Sequence, residues 1–146
     1  MGLSIHVPQE EVCSFCEYLS GNRPYTIVTR DDQAAMLVTY EQRGTPHVLV
    51  IPVAHRPTIL DLADDEFETL MRLIRPAARA IETGWRRHGI SVWQSNGVPA
   101  SQHIPHVHFH VAGTLDEGGT DWGNVPRISQ SETDAIAQKI RAGLVL

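Results

Sequence analysis

Residues 102–111 read Gln102-His103-Ile104-Pro105-His106-Val107-His108-Phe109-His110-Val111, and no other stretch constrains this chain as much. In an extended strand successive side chains alternate faces. His106, His108 and His110 therefore share one face at a spacing of roughly 6–7 Å, while Val107, Phe109 and Val111 point into the other. The chain must supply a strand with an apolar core face and an imidazole face. Packing does not account for three imidazoles, because each brings polar nitrogens that need partners, and Val or Ile would serve a core strand better. The face is expected to bind or to react.

The 146 residues fit one domain, 1–146, with a single substantial core. A hydrophobic content of 42% excludes a disordered chain, and a formal charge of −5 argues against nucleic acid or an anionic membrane as partner. No run of apolar residues is long enough to span a bilayer, and Met1 to His6 lacks the basic and apolar regions of a leader. A cytoplasmic protein acting on small molecules is expected. Cys13 and Cys16 stand at CxxC spacing, which suits a metal or a redox pair better than a structural disulfide.

The alternation pattern predicts strands over 25–29 and 35–40, with Arg30-Asp31-Asp32 turning between them, and a third over 47–52 that Pro52 ends. A fourth is expected over 90–95, and the histidine strand is the fifth. A long helix should begin between Asp61 and Asp65 and bury Phe67, Leu70, Met71, Ile74, Ala77, Ala78 and Ile81 up to Gly84, with a kink at Pro76. A shorter helix over 131–141 should turn Ile136 and Ile140 inward. Together these predict an α+β domain: an antiparallel sheet of about five strands with helices packed on it.

The run His106-Val107-His108-Phe109-His110-Val111-Ala112 resembles the signature of the histidine triad (HIT) nucleotide hydrolases. Similar to that family as well are the CxxC, Pro46-His47-Val48-Leu49-Val50-Ile51-Pro52 with His55 after it, and Asn96-Gly97-Val98-Pro99-Ala100-Ser101-Gln102 leading into the triad. The likeness spans residues 13–112. It implies a HIT-like sheet with one long kinked helix and short terminal helices, and a homodimer. It also implies hydrolysis of a phosphoanhydride or phosphoramidate in a nucleotide-like substrate through a phospho-histidine on His108. His110 and His47 would stabilise phosphate charge, and Gln102 would donate to phosphate or leaving-group oxygens. A structural zinc would be held by Cys13, Cys16, His55 and His106. Asn96 and Ser101 fall at substrate-binding positions.

Departures from the family pattern cluster around the substrate. Where the family has Asp or Asn for the ribose hydroxyls this chain has Thr39, whose single hydroxyl cannot chelate a diol as a carboxylate does. Ser101 replaces a Gly, and His103 replaces a Ser or Thr, which puts a titratable group where the leaving group needs a proton. The alternative for His103 is a side chain that points to solvent or to a dimer interface, on the side opposite the triad. Ala112-Gly113 stands for a frequent Pro-Arg. Trp85, Trp93 and Trp122 are expected as core or interface anchors. Three rival functions remain open at this point: a nucleotidyl or phosphoryl transferase using the same intermediate, a non-catalytic zinc-ordered binding module, and a site where the three triad histidines ligate a catalytic metal.

Overall fold

The computed structural model describes residues 4–146. Met1 to Leu3, on which part of the leader reading rests, lie outside the described residues. In chain order the elements are α1 (Ser14–Ser20), β1 (Thr26–Arg30), β2 (Ala34–Val38), β3 (His47–Pro52), α2 (Asp64–Trp85), β4 (Ile90–Trp93), β5 (Phe109–Gly113) and α3 (Gln130–Gly143). The sheet is antiparallel throughout, in the order β1-β2-β3-β5-β4. The first three strands form a meander. Asp31 makes the tight β1–β2 turn by accepting from Gln33 N at 2.7 Å and Ala34 N at 2.8 Å. β4 comes next in the chain but takes the outer edge, and β5 inserts between it and β3.

The strands alternate as their sequences require. Met36, Val38, Val48, Val50, Val107, Phe109 and Val111 pack on one face against α2 and α3, through Leu70, Ile74, Ala77, Ile81, Ala137 and Ile140. On the opposite face Ala35, Leu37, Leu49 and Ile51 pack against Phe15 of α1. The triad histidines lie on that second face. The hydrogen-bonded ladder, however, begins only at Phe109, because its partner on β3 is Val50. Before it, Val107 N donates to the Arg56 carbonyl at 2.7 Å, so the alternation continues alongside the loop that follows β3.

α2 begins where the acidic run Asp64-Asp65-Glu66 places charge at its N-terminus. Glu66 accepts from Ala63 N at 2.9 Å and from Arg56 Nε at 3.0 Å, which ties the helix start to the loop supporting Val107. The helix continues through Pro76, whose missing N–H leaves one ladder bond unmade. Its buried face differs from the predicted one. Leu73 and Ala80 are buried, Phe67 and Ala78 sit at the margin, and Met71 is 41% exposed. Met71 is one residue beyond Leu70 and so points about 100° away from it. In α3, Ile140 is buried as expected, whereas Ile136 is only half-buried and Ala137 takes the inner place. Gly113 ends β5 where a side chain would collide with the Thr45 carbonyl and Ile81, which accounts for glycine at that departure from the family pattern. Among the described residues no helix is long and apolar enough to cross a membrane.

Candidate active site

Strand order places His110 between Leu49 of β3 and Trp93 of β4, each directly opposite it in register. The indole of Trp93 stacks flat on the imidazole, with centroids 4.6 Å apart and an interplanar angle of 5°. His110 Nδ1 lies 2.9 Å from His47 Nε2. His47 is itself held from behind, since the Gln42 side chain accepts from its backbone N–H and donates to its carbonyl, both at 2.8 Å. Nδ1 of His47 meets both the Glu41 carbonyl at 3.1 Å and the Arg43 N–H at 3.2 Å. Only one of these can be satisfied at a time. When Arg43 donates, His47 donates on to His110, and His110 then carries its proton on Nε2.

His108 is 8% exposed, with its ring edge against Phe15 and His110. Its Nδ1 lies 2.7 Å from the His106 carbonyl. A carbonyl only accepts, so Nδ1 carries the hydrogen and the lone pair is on Nε2. Burial holds these imidazoles neutral. It pushes His47 down to about 4, opposed by the bond to the Glu41 carbonyl. It also lowers His108, against the bond to the His106 carbonyl, and lowers His110, where the neighbouring His108 and His47 add to the effect.

Two clefts open onto His108 and His110, with Arg43 and His103 bordering both. One extends past Leu49 to Thr39, Tyr40 and Tyr25. The other is walled by Trp93, Trp122, Ser95 and Ser101. His103 thus lies on the triad's side of the loop, and Thr39 and Ser101 reach separate clefts. Asn96 and Gln102 reach neither. Asn96 Oδ1 accepts from Ile59 N at 2.7 Å and its amide pairs with Gln94. The buried Gln102 accepts from Gly97 N at 2.6 Å and donates to the carbonyls of Pro57 at 2.8 Å and Ile104 at 2.9 Å. This corrects the expectation that Gln102 donates to the substrate, because its amide hydrogens are already given to backbone. Ser101 has φ 71, a left-handed conformation that explains why glycine is usual there. Arg43 is a site residue that the sequence reading did not single out, and Trp93 and Trp122, expected as core or interface anchors, wall a cleft at the triad instead; Trp93 in particular is cross-strand from His110 only once β4 is known to pair with β5.

Cys13, Cys16, His55 and His106 form a second cluster, with one ligand atom from each lying within 4.8 Å of all the others. Sγ of Cys13 is 3.4 Å and Sγ of Cys16 3.6 Å from His106 Nδ1, and Cys16 Sγ is 3.5 Å from His55 Nδ1. A tetrahedral ion with Zn–S near 2.3 Å and Zn–N near 2.0 Å would need ligand separations of roughly 3.3–3.8 Å. His106 Nε2 donates to the Pro52 carbonyl at 2.8 Å, which leaves Nδ1 bare and facing the sulfurs. Burial, then the Cys13 side chain, pushes the Cys16 thiol up to about 11, which disfavours the reactive thiolate that a redox nucleophile needs. The donor set can hold a metal. His106 is thereby turned away from His108 and His110, so the three triad histidines do not converge on one ion.

The sequence profile of one family, described as HIT domain, matches residues 20–116. An adenosine 5′-monophosphoramidase of Schizosaccharomyces pombe is 28% identical over 131 residues, covering 88% of this chain and 95% of that protein. The protein hit of Bacillus subtilis is 27% identical over 138 residues, covering 89% and 95% respectively. A Hit-like protein from Bartonella henselae superposes with a TM-score of 0.85 at 22% identity, covering 94% of this chain and 99% of its own, and so shares the fold.

Proposed function

The chain belongs to the HIT domain family, and from that premise we propose that it hydrolyses a nucleotide-like phosphoanhydride or phosphoramidate through a covalent phospho-histidine on His108. The observation that carries this reading is the bond from His108 Nδ1 to the His106 carbonyl at 2.7 Å, which leaves Nε2 as the free nitrogen of a neutral ring at the junction of two clefts. Nε2 attacks the phosphorus. The N–P bond forms as the bond from phosphorus to the leaving nitrogen or oxygen breaks, and the leaving group gains a proton. Water then attacks the same phosphorus and gives its proton to the group that protonated the leaving group, the N–P electron pair returns to the ring, and a monophosphate departs.

His110 donates through Nε2 to a phosphate oxygen in the tautomer that His47 supplies from behind, and both oppose the charge that develops there. His103, at the wall shared by the clefts, protonates or hydrogen-bonds the leaving group. Thr39 contacts the retained part of the substrate and Ser101 the departing part, while Gln102 and Asn96 act as positioning residues for the loops around them. The substrate class follows the relative named an adenosine 5′-monophosphoramidase. Zinc is the ion that two thiolates and two imidazoles suit best, and its role would be to tie α1 to the loop before β5. We extend the proposal to a homodimer, since β4 is an edge strand whose Val92 is 49% exposed.

His108→Asn tests the mechanism. The variant should fold and bind substrate while turnover falls by about three orders of magnitude or more. Mass spectrometry of quenched wild-type protein should show a nucleotidyl adduct that the variant lacks. Activity within about tenfold of wild type removes His108 as nucleophile. Turnover in ¹⁸O-water should place label in the monophosphate, and unlabelled product would assign a transferase instead. Purified protein should contain about one zinc per chain, and Cys16→Ser should lower both metal content and melting temperature.

A further inference from the structure

The cleft that leaves His110 towards β1 ends, beyond Thr39, in groups to which the proposed reaction assigns no role. From β5 it crosses Leu49 on β3, Thr39 just after β2, and Tyr25 just before β1. At a strand spacing of about 4.8 Å, Thr39 and Tyr25 stand roughly 10 and 14 Å across the sheet from the β5 backbone. That is beyond reach of the phosphate that His108 attacks. Tyr25 and Tyr18 stack there, with centroids 4.0 Å apart and an interplanar angle of 4°, and Tyr40 meets Tyr25 edge-on at 5.0 Å. The Arg127 guanidinium lies over the Tyr40 ring, 4.4 Å from its centroid, and lines the same cleft.

The backbone of Arg127 is fixed in this place. Residue 127 bridges Glu41, and Ile128 N donates to the Tyr40 carbonyl at 2.9 Å. The side chain is exposed, and among the described residues no carboxylate pairs with it. The cleft's other guanidinium is already engaged: Arg43 pairs with Glu41 at 3.6 Å and donates to the carbonyls of Asp121 at 2.9 Å and Gly123 at 3.1 Å. Glu41, among the described residues the only carboxylate lining the cleft, is thus partnered as well. What remains inside the cleft at this end is an aromatic wall, the neutral hydroxyl of Thr39 and the Arg127 guanidinium, while outside the lining the Arg23 guanidinium lies 5.3 Å from the centroid of the Tyr18 ring. A carboxylate at residue 39 would bind a diol but repel a phosphate; a threonine beside Arg127 has the reverse preference.

We infer that the substrate is a nucleotide whose ribose carries a second anionic group, a 2′- or 3′-phosphate, and that Arg127 binds that group. The inference rests on the nucleotide reading of the site proposed above. It is tested by calorimetric titration of the protein with AMP, adenosine 2′,5′-bisphosphate and adenosine 3′,5′-bisphosphate, in the wild type and in Arg127→Gln and Arg127→Lys. One of the bisphosphates should bind the wild type at least about tenfold more tightly than AMP, and that advantage should shrink as salt rises. Arg127→Gln should bring the ratio close to one, and Arg127→Lys should keep part of it. Whichever bisphosphate gains identifies the substituted hydroxyl. Bisphosphates that bind no better than AMP, a ratio unchanged in Arg127→Gln, or the absence of binding by all three ligands overturns the inference. The titration requires no turnover, so the hydrolase reading stands or falls separately: AMP bound without preference leaves it intact, whereas an active His108→Asn variant removes it whatever Arg127 binds.

Discussion

Replacing Gln102 by Ala would separate a loop-positioning role from a substrate contact. The side chain is 2% exposed, and its three hydrogen bonds join the Gly97 N–H to the carbonyls of Pro57 and Ile104. It therefore bolts the loop before the triad to the loop after β3, next to the place where Val107 N donates to the Arg56 carbonyl. At about 1 kcal/mol net per bond, with more for any backbone group left buried and unpaired, the change should cost about 3–4 kcal/mol of stability. For a domain of this size that corresponds to a melting temperature lower by roughly 10 °C. Turnover should fall too, because His103 and Ser101 ride on the same loop, but without a selective loss of phosphate affinity. Gln102→Glu sharpens the test. The carboxylate keeps the acceptor for Gly97 but sets an oxygen against two carbonyls, so it should be at least as unstable at pH 8 and recover in part as acid protonates it. Chemical denaturation across pH and steady-state kinetics read both effects. An Ala variant within about 1 kcal/mol of wild type that loses substrate affinity would return the amide to the substrate and refute the bolt.

His103→Ser should slow substrates with poor leaving groups and spare those that leave without a proton, as read from a plot of log kcat/KM against leaving-group pKa; equal effects on both would place His103 outside the proton transfer. Stability should decline as pH falls. The folded state holds His47 near 4, and holds His108 and His110 below the ordinary histidine value, while the unfolded chain protonates near about 6.5. Between those limits the unfolded state binds more protons, so the stability is fully present above about pH 6.5 and is lost towards pH 4; denaturation midpoints independent of pH across that window would contradict the burial of neutral imidazoles. Ser101→Gly should raise stability by about 0.5–1 kcal/mol by relieving the left-handed backbone, and a loss of stability in thermal melts would show that the hydroxyl matters more than the strain.

Much of this site was legible before any coordinates, because it depends on short-range periodicity. Alternation alone put His106, His108 and His110 on one face and Val107, Phe109 and Val111 on the other, and the core is built on that division. CxxC spacing marked Cys13 and Cys16, and His55 and His106 joined them through the family resemblance; all four donors meet. The misses share a different origin. Met71 was placed inside because a three-and-four pattern tolerates either of two adjacent residues, and only contact with the sheet selects Leu70 and Leu73. Gln102 was read as a phosphate donor because its position is known from sequence, whereas the Pro57 carbonyl that takes one of its amide hydrogens lies 45 residues away. Trp93 stacks on His110 because β5 inserts between β3 and β4, and Arg127 reaches the cleft because residues 127–128 run beside 40–41. The sequence by itself determined which side of each strand is polar and which residue types face the reaction. Which neighbours those residues have was decided only by tertiary structure, because pairing between distant segments minimises the energy of the whole sheet and leaves no periodic mark on either partner.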